Sequence, residues 1–399
     1  MKMIKNFKEG LSKNVIILGI VSGLTDISSE MLYPVIPIFL SQFLKAPMTV
    51  IGLIEGIAES TASILKIWGG YISDRFRKRK PFIIIGYFLS AISKPIMALA
   101  GVWQFVLFAR FIDRVGKGIR TSPRDALIAA SSDKEHWGKA FGFHRAMDTT
   151  GAALGPIITL ILFLILSETE KSYRIVFLIA FIPAILGVFI LKKYIKDEGE
   201  ITKTETLKPQ TATEPLSYDF KIFTFIYILF SIGKFSDAFL IMKTKSIVSS
   251  TTHTIMVYFA YNILYAFLST PAGIIADKIG KVKVFMLSFL IFAIVCFGFS
   301  KTATPYGVWL FFLIYSFYGA LNEGIAKAII SNLTTSNNRA SGMGVFQGFS
   351  GIAVFLSSLL AGFLWDKFEP STPFLVSSIT SIFSLTLLFI WIKWRKINI

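Results

Sequence analysis

Two carboxylates, Asp26 and Glu30, stand four residues apart in GLTDISSEMLYP, inside an otherwise apolar run. On a helix that spacing puts both on one face. Two carboxylates held together in a low dielectric cannot both ionise cheaply, so one of them is placed to carry a proton. Downstream, ARFIDRVGKGIR sets Arg110, Arg114 and Lys117 at spacings of 4 and 3, a basic stripe in which Asp113 reaches Lys117 at i,i+4. Guanidinium forks match planar anions, so the stripe either recognises an anionic ligand or acts as counterion to Asp26 and Glu30. FHRAMDTTG adds His144, Arg145 and Asp148. A histidine four residues from a carboxylate could titrate in the physiological range, although a satisfied structural histidine gives the same pattern.

The second half of the chain is leaner in charge. Lys234 and Asp237, then Asn322, Glu323 and Lys327, fall within apolar runs, and Asp237 and Glu323 are the candidates there. Tyr258, Tyr261, Asn262 and Tyr265 recur at helical spacing, which suits either hydrogen bonding to a ligand or aromatic helix packing.

The elements that carry these groups must cross a membrane. Of 399 residues 54% are hydrophobic and 16% charged, too little polar surface to cover a soluble core. Apolar segments run at about 14–40, 48–72, 81–100, 103–125, 137–165 and 172–191, and again at about 219–242, 253–276, 283–300, 305–330, 340–364 and 371–392, each long enough to span a bilayer. Between the two sets lies a stretch rich in Lys, Glu and Thr that cannot bury a core and reads as a linker. The expected fold is therefore an all-α membrane protein of twelve transmembrane helices in two pseudo-symmetric six-helix bundles, residues 1–191 and 219–399, joined by a linker at 192–218. From an outer end near Trp103, Arg110 and Arg114 would lie roughly 10 and 16 Å deep, inside the hydrocarbon. Charges there are costly unless paired or hydrated, so they mark functional surfaces.

Orientation follows from lysine and arginine. Alternate loops carry clusters such as Arg75 to Lys80, Arg124 with Lys134 and Lys139, Lys192 with Lys193, and Lys278 with Lys281. The positive-inside rule places these loops and both termini in the cytoplasm, with the chain in the inner (plasma) membrane. The formal charge of +17 is absorbed by this pattern and gives no reason to invoke nucleic acid. A single cysteine, Cys296, excludes an intramolecular disulfide and any multi-cysteine metal centre. No phosphate-binding glycine loop, cofactor motif or nucleophile constellation is present, so neither an enzyme nor a cofactor-dependent protein is expected.

The halves echo one another. GGYISDRFRKRK contains Gly70, Asp74, Arg75, Lys78 and Arg79, and AGIIADKIGKVK contains Gly273, Asp277, Lys278, Gly280 and Lys281. These loops resemble the signature of the major facilitator superfamily, with Arg77 in place of the first copy's central glycine. Gly151, Gly155 and Pro156 are similar to a fifth-helix signature of proton-exchanging exporters, closest in pattern to bacterial and archaeal efflux permeases. Glycines at that spacing also simply let helices pack closely. Arg110 and Gly116 resemble a fourth-helix signature in which Asp113 and Arg114 replace the usual residues.

The resemblance implies alternating access, with the first and fourth helices of each half lining a cavity and the repeated loops acting as gates. It implies protons, membrane lipid and a small-molecule substrate as partners, with Asp26, Glu30 and Asp148 as proton-coupling candidates and no obligate protein partner. The expected activity is proton-coupled export of a drug-like or amphipathic compound. Transport of a carboxylate or phosphate-bearing metabolite is the alternative, and a non-transporting receptor or lipid scramblase is a third reading.

Overall fold

The computed structural model describes residues 11–76, 79–195, 215–335 and 338–395. The helices, in chain order, are α1 (Lys13–Leu32), α2 (Ile36–Gln42), α3 (Met48–Phe76), α4 (Lys80–Ala98), α5 (Trp103–Ala130), α6 (Trp137–Ile165) and α7 (Glu170–Tyr194). There follow α8 (Tyr218–Gly233), α9 (Ala238–Val248), α10 (Thr251–Ile279), α11 (Lys281–Lys301), α12 (Pro305–Asn332), α13 (Arg339–Lys367) and α14 (Thr372–Arg395). The linker expected at 192–218 falls largely outside the described residues.

Local chemistry sets the ends. Ser12 and Thr169 cap α1 and α7 by accepting from the backbone N–H of Val15 and Ser172, and α7 adds Glu170 in its first turn and Lys192 and Lys193 in its last, matching its dipole. Tyr33 still bonds back to the Ser29 carbonyl, but Pro34 has no N–H to continue the ladder, and the first span breaks there into α1 and α2. The seventh span, expected to be continuous over about 219–242, is also broken: helix stops at Gly233 and resumes at Ala238. No proline causes this second break. The backbone N–H of Ser236 instead donates to Ser358 Oγ on α13 at 3.2 Å.

Among the described residues eleven spans, two of them the broken pairs, are long and apolar enough to cross a membrane. The twelfth is α5, too charged to pass by composition. Its burial pattern identifies it: Val106, Ala109, Arg110, Asp113 and Arg114 are buried, while Phe105, Phe108 and Phe111 are exposed. Charges point inward and rings outward, the reverse of a soluble amphipathic helix and the arrangement lipid requires.

The chain forms two compact units, one from Met1–Phe39 and Thr61–Thr206, the other from Leu40–Ser60 and Leu207–Ile399. Within the first, α1 packs on α6 and α7, and α4 on α5 and α7; within the second, α8 packs on α13 and α14, and α11 on α12 and α14. These are the same neighbour relations displaced by half the chain, the structural form of the repeat. The amino-terminal part of α3 belongs to the second unit because Asp366 of α13 accepts from the backbone N–H groups of Met48 at 3.0 Å and Thr49 at 2.7 Å. That carboxylate satisfies donors a helix start leaves unpaired.

The cores differ. The first unit buries aliphatic and small residues such as Val15, Leu18, Val21, Ile83, Ala91 and Ala184. The second is aromatic, with Phe230 stacked on Phe289 at 3.9 Å and Tyr315 on Tyr318 at 5.2 Å. In lipid, helices associate through packing and polar contacts, so a glycine-rich seam and an aromatic stack are two routes to one end.

Candidate functional site

The seam between α1 and α6 is built from residues without bulk. A β-carbon added to Gly151 would meet the carbonyl of Gly23 and, at 3.0 Å, the Cβ of Asp26; one on Gly155 would stand 2.8 Å from the Cβ of Glu30. Further along, Thr159 Oγ1 donates to the Met31 carbonyl at 2.9 Å. The glycines of the fifth-span motif therefore lie directly against the face of α1 that carries both carboxylates.

Close approach of the helices brings Asp148, three residues before Gly151, to Asp26. The charged groups acting on Asp26 are Asp148 from α6 and Lys117, Arg120 and Arg124 from α5. Asp26 thus has a carboxylate neighbour from a different helix, which the sequence reading had sought only in Glu30. His144 Nδ1 lies 3.4 Å from Asp148 Oδ2, while His144 Nε2 and Asp148 Oδ1 are buried without a hydrogen-bond partner among the described residues. Arg145, the next residue, is exposed, so the two neighbours do not share a surface.

Arg124 corrects the loop assignment made from charge. It lies within α5, its guanidinium donating to Asp125 Oδ1 at 2.9 Å and to Ser22 Oγ on α1 at 3.2 Å. Arg120 is buried, donating to Ser90 Oγ and lying 4.3 Å over the Tyr87 ring. Arg120 escaped the sequence reading and Arg124 entered it only as a loop charge, although the spacing of Arg110, Arg114 and Lys117 continues through both.

Asp113 departs from expectation in its partner. Its ion pair is with Lys94 on α4 at 2.8 Å, the two side chains 9% and 1% exposed, and Arg114 and Arg110 also act on it. An i,i+4 spacing permits a pair, but a fully buried ammonium one helix away is the stronger claimant because it has no water to turn to. Gly86 and Gly116 make that α4–α5 approach possible, each leaving no room for a Cβ against the other's carbonyl.

In the second unit the break in span seven places Asp237 at the start of α9 with no capping bond of its own; Tyr315 Oη on α12 donates to Asp237 Oδ1 at 2.6 Å instead. Lys234 lies 5.7 Å over the Tyr318 ring. Tyr261 stacks on Tyr315 at 5.2 Å and on Tyr265 at 6.2 Å, so the tyrosines spaced along span eight are joined to Asp237 through Tyr315. Discontinuous helices with charged groups at the break are where transporters commonly bind substrates and ions. Asn322 donates to Ser288 Oγ at 3.2 Å, whereas the side chain of its neighbour Glu323 lies outside the described residues.

Of the repeated loop motifs, Gly70, Asp74 and Arg75 fall in the last turns of α3 with side chains outside the described residues, as does Lys78 altogether. In the second copy Asp277 and Lys278 end α10, Gly280 takes a φ of 104° that favours glycine, and Asp277 pairs with Lys281 at 3.8 Å.

Residues 18–242 and 222–397 match the Major Facilitator Superfamily. The chain belongs to this superfamily. An uncharacterized MFS-type transporter of Methanocaldococcus jannaschii is 35% identical over 388 residues, 95% of each chain. A multidrug resistance protein, MdtH of Photorhabdus laumondii, is 29% identical over 126 residues, 32% of this chain and 31% of its own. Among solved structures the nucleoside transporter NupG superposes with a TM-score of 0.78 at 14% identity, covering 95% of this chain and 99% of that one. The all-α, twelve-span MFS fold is thereby established, and the protein is a multi-pass membrane protein of a superfamily of secondary transporters that move small molecules by alternating access.

Proposed function

We propose that this MFS protein exports a small drug-like or amphipathic organic compound in exchange for protons. The observation that carries the reading is the glycine seam that sets Gly151 against the Cβ of Asp26 and so brings Asp148 of α6 near Asp26 of α1, with Arg124 of α5 donating to Ser22 on α1 and within electrostatic range of both carboxylates. A shared proton there relieves carboxylate repulsion, and its loss is compensated by the nearby cations. The exporter-type motif of Gly151, Gly155 and Pro156 supports the outward direction because it packs on Asp26 and Glu30 themselves. The partial likeness to a multidrug resistance protein points the same way.

In this reading the bundles 1–191 and 219–399, linked by 192–218, alternate access from the plasma membrane with both termini cytoplasmic. Asp237, Glu323 and the tyrosines around them, with Arg110, Arg114, Lys117, His144 and Arg145, contribute to cargo binding. The repeated loops act as gates. A second reading, transport of an organic anion, draws on the gathering of Lys94, Arg110 and Arg114 at Asp113.

Proton flux in proteoliposomes under an imposed pH gradient separates the two. Flux with a pool of cationic and amphipathic compounds, and none with carboxylates or phosphorylated metabolites, is the expected result. Flux with the anionic pool alone replaces the export reading with the second.

A further inference from the structure

At one end of the first unit three helices bring ammonium groups together. Lys13 of α1 lies 5.7 Å and Lys193 of α7 lies 5.1 Å from the centroid of the same ring, that of Tyr194. Lys80 of α4 donates to the carbonyl oxygen of Ile195, the next residue, at 2.5 Å. Lys13, Lys192, Lys193 and Tyr194 are exposed. Among the described residues no carboxylate pairs with Lys13, Lys192 or Lys193.

The Tyr194 ring and the end of the α7 dipole each offer these lysines a modest attraction, but like charges gathered at one ring still repel, and an anion that joins them removes that repulsion. The ring locates the anion. An exposed tyrosine at the end of a spanning helix sits at the headgroup level of a bilayer, its hydroxyl toward water and its ring among the upper acyl carbons. At that depth the abundant anion is the phosphodiester of a lipid headgroup, and basic side chains gathered between helix ends at this level are suited to it. Lysine stems can lie along the lipid while their ammonium groups reach the phosphate.

We propose that Lys13, Lys80, Lys193 and Tyr194 form a binding site for the phosphodiester of an anionic membrane lipid, held between the ends of α1, α4 and α7. Lys13 and Lys193 supply charge, Tyr194 supplies the platform and a hydroxyl donor, and Lys80 ties the end of α7 to α4 so that the site keeps its shape. Bound lipid links the first helix of the unit to its last.

The test uses the delipidated full-length protein in detergent, titrated with phosphatidylglycerol in mixed micelles, with lipid retained per protein as the readout. The double variant Lys13→Gln, Lys193→Gln is expected to weaken binding by about tenfold or more, since one lysine near an anionic surface contributes about fivefold. Lys301→Gln, Lys367→Gln, which removes two exposed lysines elsewhere, is expected to leave it within about twofold. Lys13→Arg, Lys193→Arg should retain the lipid, showing that charge and not the fold was altered. Equal weakening by the two glutamine pairs would overturn the site in favour of general surface charge. Displacement of the lipid by millimolar inorganic phosphate would overturn the assignment to lipid.

Discussion

A β-carbon on Gly155 would stand 2.8 Å from the Cβ of Glu30, and equally close to the Ile27 carbonyl oxygen and the Met31 amide nitrogen. Two of those three contacts are backbone, so α1 and α6 would have to separate to admit even a methyl group. Gly155→Ala should cost about 1–3 kcal/mol, the usual range for overpacking, and lower the thermal midpoint of the detergent-solubilised protein by several degrees. Gly142→Ala on the same helix, where a Cβ meets nothing within 4 Å, should leave it unchanged.

The Lys94–Asp113 pair offers a sharper test of burial. Lys94→Met removes one partner and leaves a buried carboxylate, at a cost of about 3–5 kcal/mol. The double variant Lys94→Met, Asp113→Leu should recover much of the lost stability, read as monodisperse yield and thermal midpoint. A double variant no better than the single one would mean that Arg110 and Arg114 depend on Asp113 as much as Lys94 does.

Proton coupling should divide between two helices. Asp26→Asn and Asp148→Asn are each expected to abolish transport driven by a pH gradient while leaving exchange of labelled substrate between equal pools. Loss of exchange together with loss of folded protein would make them counterions of α5 and no more.

Tyr315→Phe deletes a donor to a carboxylate at the break of span seven. Hydrogen bonds to charged groups are worth about 1.5–3 kcal/mol. If Asp237 helps bind cargo, the variant should raise the half-saturating substrate concentration as well as lower the thermal midpoint; an unaltered substrate dependence would confine Tyr315 to packing.

Asp366 holds the start of α3 by two backbone donors and the Thr49 hydroxyl, the last at 2.6 Å. Asp366→Ala should cost about 0.5–2 kcal/mol, as loss of a helix cap does. Protection of the Met48 and Thr49 amides from hydrogen exchange should fall accordingly.

The sequence by itself determined the class of protein, the number of spans and the repeat. Those properties follow from hydropathy over some twenty residues and from motifs contiguous in the chain, both local quantities. It also marked Asp26, Arg110, Arg114, His144 and Asp148, because an ionisable group inside an apolar run is conspicuous wherever the fold puts it. Partnership was another matter. Helical spacing suggested Asp26 with Glu30 and Asp113 with Lys117, but it could not show that Asp148 also acts on Asp26 or that Asp113 forms an ion pair with Lys94. Each partner comes from another helix, brought close by glycines at 23, 86, 116 and 151, of which the sequence marked only Gly151 for packing and could not say what it packs against. The break in span seven was equally hidden, since no proline marks it and the contact holding it, Ser236 to Ser358, crosses more than a hundred residues of chain. In a membrane, where apolar surface is no guide to which helices meet, close packing and buried polar contacts decide, and only the tertiary structure contains them.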